Sequence, residues 1–367
     1  MKLKKHLGGI KPYNPGRPIE EVQNMYGLND VVKLASNENP YGCSQNVQKA
    51  IITELNKLSL YPDSRADKLR EKLANHIGLN HDQFIFGNGT DELIRMICRA
   101  YLGQGTNTVM TDLTFSQYKR NAMIEGAEIR EVPHVNGRHD IKGIIDAVDQ
   151  NTTVVWICNP NNPTGEYVRE GELITLLGSL NKDILVVCDE AYYEYVDADD
   201  FPDTVSLMKQ YPNLMVTRTF SKAYGLAALR IGYGICQKNV VNDLEVVRET
   251  FNTSRLAQVA AIAALEDQIF IKECSKRNRE ELEQFYSFCW RFGLSYFPSQ
   301  ANFIWIDLKR NTNDLVNRLL LKGFIIRPGS QFGCQTSMRI TIGSSTQNDD
   351  LIAYLSQLLQ LPEIVEK

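Results

Sequence analysis

Six short apolar runs punctuate the chain between residues 84 and 236, at 84–86, 108–110, 153–158, 184–188, 214–217 and 231–236. Nearly all are continuous rather than alternating, and several are rich in Val and Ile. A strand that is apolar on both faces must be covered on both faces. Continuous apolar strands separated by helical segments therefore predict an α/β fold with a mostly parallel sheet between two layers of helices. The segments 92–102 and 170–180 read as amphipathic helices between such strands. From about residue 240 the texture changes. Helical segments at 240–267 and 268–292 precede a second set of short strands at 303–307, 324–327 and 338–342, and a last helix spans 348–361. The expected organisation is an arm over 1–30, a large domain over 31–245 and a smaller α+β domain over 246–367.

A chain of 367 residues, 43% of them apolar, suits two or three domains with a large core and needs no disulfide or metal staple. Its net charge of −4 argues against a nucleic-acid partner and leaves room for a small anion bound by a few local arginines. None of the eight cysteines forms a CxxC pair, and several sit inside apolar runs. They read as small hydrophobes in a reducing cytoplasm. The five histidines show no HExxH spacing, so no metal is expected. The basic start of the chain lacks the apolar stretch of a signal peptide, and no run of 18 apolar residues exists to span a membrane. The expectation is a soluble cytoplasmic protein. Three prolines among residues 11–18 predict an extended arm, and 36–42 a polar loop.

In open α/β sheets, ligands bind at the carboxyl ends of the strands. Four strand ends here carry polar groups suited to one anionic, aromatic ligand. After the first run come Gly87, Asn88, Gly89, Thr90 and Asp91. Glycines before a helix let the backbone approach a phosphate, although the same residues also describe a tight turn with Thr90 or Asp91 as cap. The run at 153–158 leads into Asn159-Pro160-Asn161-Asn162-Pro163-Thr164-Gly165. Asp189 follows five apolar residues, and a buried carboxylate needs a partner: an ion pair, a helix cap or a protonated ring nitrogen. Lys222, preceded by Thr219 and Ser221, is either a solvated loop lysine or an amine that forms a Schiff base beside a phosphate. Arg230, eight residues on, is within reach of that phosphate.

The joint order of phosphate loop, Asn162, Asp189, Tyr192, Ser221-Lys222 and Arg230 resembles the fold-type-I pyridoxal-phosphate aminotransferases. The closer resemblance, over nearly the whole chain, is to the histidinol-phosphate aminotransferases. It rests on residues 12–22, on Leu34 to Pro40, on Tyr61-Pro62-Asp63, on Arg218 to Ala227 and on Arg339-Ile340-Thr341-Ile342-Gly343. The resemblance implies a seven-stranded, mostly parallel sheet in a cofactor-binding large domain. The implied reaction converts L-histidinol phosphate and 2-oxoglutarate to imidazole-acetol phosphate and L-glutamate, in histidine biosynthesis. An aromatic amino-acid aminotransferase, alone or as a second activity, is the nearest alternative. A threonine-phosphate decarboxylase shares some elements, and a cofactor-sensing regulator would need an added DNA-binding domain.

Carried over residue by residue, the resemblance makes Lys222 the Schiff-base lysine and the proton carrier. Asp189 pairs with the ring nitrogen of pyridoxal 5'-phosphate, and Asn162 and Tyr192 hydrogen-bond its ring hydroxyl. Phe115 is placed to stack on the ring, in competition with a plain core role. The phosphate takes the turn at Gly89, the backbone of Thr90 and Asp91, the hydroxyls of Thr219 and Ser221, and Arg230. Tyr61 reaches that phosphate from the other subunit, which makes the protein a homodimer. Tyr13, Asn37, Arg327 and Arg339 are the implied substrate residues, the two arginines holding anionic ends. For Arg327 a structural ion pair is an equal reading.

Overall fold

A computed structural model describes residues 2–10, 12 and 16–360. Twelve strands are formed among them: β1 (Val32–Leu34), β2 (Phe84–Gly87), β3 (Asn107–Thr111), β4 (Glu128–Val132), β5 (Thr152–Cys158), β6 (Leu185–Asp189), β7 (Leu214–Thr219), β8 (Gly232–Ile235), β9 (Ser295–Phe297), β10 (Phe303–Asp307), β11 (Phe324–Pro328) and β12 (Ser337–Thr341). The large sheet runs in the order β2-β8-β7-β6-β5-β3-β4. Only β8 opposes its neighbours, pairing antiparallel with both β2 and β7. Alternate residues of β5 feed opposite cores. Val155 and Ile157 join one cluster with Leu173 and Leu176, while Val154 and Trp156 join another with Leu93 and Ile97. That two-sided burial is why the strand sequences are continuously apolar.

The strand not anticipated in this sheet is β4, Glu-Ile-Arg-Glu-Val, at the edge. Its charges face solvent and blunt an otherwise open edge, which also removes the apolar signature. No helix among the described residues is long and apolar enough to cross a membrane.

The second sheet has the order β1-β11-β12-β10-β9. Here the packing departs from the expected division. β1, assigned by sequence to the large domain, pairs parallel with β11, and Val32 N–H donates to Gly323 O. The expected helical segment 240–267 is two helices, Lys238–Val247 and Arg255–Leu265, separated by a loop in which Phe251 adopts φ +56°. The second of these packs its alanines into the large core with Val47, Leu69 and Leu73. The following helix, Gln268–Phe292, ties the two bodies together. Its Ile271 lies in the large core, and its Leu282, Phe285 and Phe288 lie in the core under the small sheet.

Candidate active site

The carboxyl ends of β5, β6 and β7, the start of the helix Thr90–Tyr101 and the strands β11 and β12 of the small sheet converge on one cavity. Asp189 ends β6 and is 3% exposed. Burial pushes its carboxyl up to about 6, against the pull of two hydrogen bonds. Tyr118 Oη donates to Oδ2 at 2.6 Å and Thr217 Oγ1 donates to Oδ1 at 3.0 Å. Tyr118 is itself fixed by stacking on Trp156, with ring centroids 4.7 Å apart, and it meets Phe115 edge-on. Neither Tyr118 nor Thr217 is singled out by the sequence reading. The available signals are weak: Tyr118 lies three residues beyond Phe115, and Thr217 is the register partner of Asp189 across β6 and β7.

Lys222 reaches the same cavity from the loop after β7, and its Nζ donates to Ser36 O at 3.0 Å. Burial, then the neighbouring Arg339 guanidinium, lowers its ammonium to about 8. A larger share is thus a neutral amine near neutral pH than for a solvated lysine. Lys222 is part-buried and lines the cavity, hydrogen-bonded to the chain, rather than standing free in solvent. Tyr192 lies beneath it, with Nζ 5.8 Å from the ring centroid, and accepts a hydrogen bond from Asn37 Nδ2 at 2.9 Å. Asn162 lines the cavity with its Oδ1 accepting from Arg339 Nη1 at 2.5 Å. Phe115 also lines the cavity, which adds a site wall to its core contacts.

At the other end of the cavity, Gly89 turns the chain into a helix with φ +76°. A Cβ there would sit 2.3 Å from Arg230 Nη2, so only glycine lets the guanidinium lie against this turn. Arg230 donates to Ser221 Oγ at 3.3 Å and pairs with the Asp91 carboxylate at 3.3 Å. Both members of that pair are over 40% exposed, so it is a weak contact that an anion can displace. Thr90, Thr219 and Ser221 complete this corner.

The small sheet supplies two arginines. Arg327 and Arg339 are direct register partners on β11 and β12, and both line the cavity. Like charges directly opposite one another in an antiparallel pair repel, so this placement favours an anion between or beyond them. Arg339 is 5% exposed, donates to Ala35 O at 2.6 Å and lies over the rings of Phe303 and Phe332. The arm reaches this corner too, because a Cβ on Gly16 would lie 3.0 Å from Arg327 Nη1. Tyr13 lies outside the described residues.

The comparisons with known proteins bear on this geometry. Residues 29–355 match the model of the family described as aminotransferase class I and II. The chain belongs to that family. It is 55% identical over 365 residues to a histidinol-phosphate aminotransferase of Geobacillus sp. (strain WCH70), covering 100% of both chains. It is 53% identical to the histidinol-phosphate aminotransferase of Bacillus subtilis (strain 168), covering 98% of this chain and 100% of that one. Among solved structures, it superposes with a TM-score of 0.90 and 27% identity on histidinol-phosphate aminotransferase from Sinorhizobium meliloti in complex with pyridoxal-5'-phosphate, over 98% of each chain.

The residues of this class I and II aminotransferase fit that cofactor chemically. A buried acid with open lone pairs suits a ring nitrogen, a partly neutral amine suits an aldehyde, and a glycine turn with an arginine and hydroxyls suits a phosphate. The structure brings together all the sequence-assigned site residues within the described part of the chain except one. Tyr61 is 77% exposed and stacks on Phe251, with ring centroids 4.5 Å apart, outside this aminotransferase's own cavity.

Proposed function

We propose that this chain is a pyridoxal-phosphate-dependent transaminase. It moves the amino group of L-histidinol phosphate to 2-oxoglutarate, giving imidazole-acetol phosphate and L-glutamate in histidine biosynthesis. The observation that carries this reading is the opposed pair Arg327 and Arg339, which line the same cavity as Lys222. The full-length likeness to histidinol-phosphate aminotransferases supports it.

When bound, the cofactor supplies an electron-poor ring that takes up the electron pair left behind as the substrate Cα loses its proton. Each residue then has a distinct task. Asp189 keeps a proton on the ring nitrogen, and the opposite charge offsets part of the burial cost of the carboxylate. Asn162 and Tyr192 address the ring oxygen. Phe115 walls off water from the ring face. Lys222 Nζ, with its lowered proton affinity, removes the proton from Cα and returns it on the far side of the transfer. Arg230, Ser221, Thr219 and the turn at Gly89 and Thr90 hold the cofactor phosphate. Arg327 and Arg339 hold the phosphate of one substrate and the carboxylates of the other in turn, Asn37 lines the same cavity, and Tyr13 is the further residue that the resemblance assigns to the substrate. The protein works in the cytoplasm as a homodimer, with Tyr61 completing the partner's phosphate site.

A half-reaction tests the assignment. The cofactor-loaded protein is mixed separately with excess L-histidinol phosphate, L-glutamate and L-phenylalanine, and the visible cofactor band is followed. Fast loss with the first two and slower loss with phenylalanine is expected. Loss with phenylalanine but not with histidinol phosphate would transfer the assignment to an aromatic aminotransferase.

A further inference from the structure

Behind Tyr192 lies a buried hydrogen-bonded chain that runs through Asn37 to Thr341, a residue with no assigned role. Asn37 is 1% exposed and adopts φ +56°. Its backbone N–H donates to Thr341 Oγ1 at 2.9 Å, and Thr341 Oγ1 also lies 2.9 Å from Asn37 Oδ1. The amide Nδ2 lies 2.9 Å from the Tyr192 hydroxyl, and Asn302 Nδ2 donates to Asn37 O at 3.1 Å. Thr341 is 2% exposed and Tyr192 3%.

The directions along this chain are not interchangeable. A backbone N–H only donates, so Thr341 Oγ1 accepts there. Its single proton then goes to Asn37 Oδ1. The reverse amide orientation would aim two donors at Thr341 and strand its own proton in a buried site. The Asn37 NH₂ group is therefore the part that faces Tyr192, and it too only donates. Tyr192 accepts from it, and the tyrosine's own proton is left to point into the cavity.

We propose that Thr341 is a positioning residue that, through Asn37, makes the Tyr192 hydroxyl an obligate donor toward the ligand. Arg339 imposes the same polarity on Asn162. A guanidinium only donates, so Asn162 Oδ1 is taken and its NH₂ is turned elsewhere. Arg339 and Thr341 are two residues apart on β12 and share its face. One strand of the small sheet thus sets the sense of both hydrogen bonds attributed to the cofactor ring oxygen. Two donors on one oxygen favour its ionised form. This inference rests on the proposed placement of Tyr192 beside that oxygen.

The test is a spectrophotometric pH titration of the protein loaded with pyridoxal phosphate, without substrate. Removing a donor from the ring oxygen tightens the hold on the proton shared at that edge of the cofactor, so the spectral transition moves to higher pH. Thr341→Val should raise its midpoint by about one pH unit, a tenfold change in proton affinity. Thr341→Ser should restore the wild-type midpoint. Tyr192→Phe should raise it at least as far, and adding Thr341→Val to Tyr192→Phe should move it no further. A midpoint unmoved by Thr341→Val while Tyr192→Phe shifts it would overturn the inference, as would fully additive shifts. A midpoint unmoved by Tyr192→Phe is a separate failure: it removes Tyr192 from the ring oxygen and the inference with it. Should the Val variant not fold, Asn37→Asp carries the test, since asparagine and aspartate both tolerate the left-handed backbone. A carboxylate at that position draws the Tyr192 proton away from the cavity. The upward shift should shrink when Tyr192→Phe is added, and a shift indifferent to Tyr192 would overturn the inference.

Discussion

Asp189 should make the cofactor-free protein less stable than its amide variant, and increasingly so as pH rises. The folded protein holds this carboxyl at about 6, from an ordinary 3.8, because it is 3% exposed. About two pH units correspond to about 3 kcal/mol. The folded state binds this proton more tightly than the unfolded state does. The stability from that proton is complete below about pH 4 and is lost as pH rises through about 6. Asp189→Asn keeps the shape and does not ionise. It does leave one of the two hydroxyls, of Tyr118 or Thr217, facing an NH₂ group from which it must accept instead of donating, a cost of about 1 kcal/mol that does not depend on pH. The variant's advantage should widen by about 1.5 kcal/mol between about pH 5 and about pH 8, reaching about 2 kcal/mol at the upper end. Urea unfolding of cofactor-free protein across that range measures it. Saturating pyridoxal phosphate should reverse the order, because the wild type binds the ligand more tightly and gains more by mass action. An advantage that stays flat with pH would refute the reasoning, since Asp189 would then carry no ionisation penalty in the fold.

Three further outcomes follow from the same geometry. Lys222→Ala should abolish turnover while the cofactor stays bound through its phosphate, and normal turnover in a steady-state assay would remove Lys222 from the proposed role. Tyr118→Phe deletes the 2.6 Å donor to Asp189 and should lower kcat/KM by roughly tenfold, since a hydrogen bond to a charged group contributes about 1.5–3 kcal/mol. An unchanged kcat/KM would make Tyr118 a packing residue only. Gly89→Ala places a Cβ against Arg230 at a backbone angle of φ +76° and should weaken pyridoxal phosphate binding at least about tenfold. Gly103→Ala, where nothing lies within 4 Å of an added Cβ, serves as the control in the same fluorescence titration.

The parts of this site that were legible in the sequence are those where a buried strand ends and polar residues begin. Asp189, Asn162, Lys222 and the turn at Gly89 each follow an apolar run, so a linear pattern suffices to flag them. What escaped is set by pairings between distant segments. Thr217 matters because parallel register places it beside Asp189, and Tyr118 because a helix after β3 lays it on Trp156 of β5. Thr341 matters through a partner 304 positions away. β1 is three residues long and belongs to the small sheet through a parallel pairing with β11, which no local periodicity encodes. β4 is hidden for the opposite reason, because its charges are the signature of an edge.

Tyr61 carries the argument from one chain to two. Its ring is 77% exposed, and Leu58 and Leu60 beside it are 62% and 60% exposed. Its posture is nonetheless fixed: Phe251, in a left-handed backbone conformation, stacks on it, and Arg255 Nη2 donates to its carbonyl at 2.7 Å. A group of apolar side chains held in order at the surface is what a subunit interface requires. If Tyr61 serves the partner's phosphate site, two defective chains can complement each other. In hybrids of Lys222→Ala with Tyr61→Phe, one site of each dimer joins an intact Lys222 to an intact Tyr61. With random exchange half the dimers are hybrids, so about a quarter of all sites regain native cofactor affinity and turnover when cofactor is limiting. If Tyr61 acts within its own chain, no site in any hybrid regains both residues. Activity after exchange would then stay at the average of the two parent proteins.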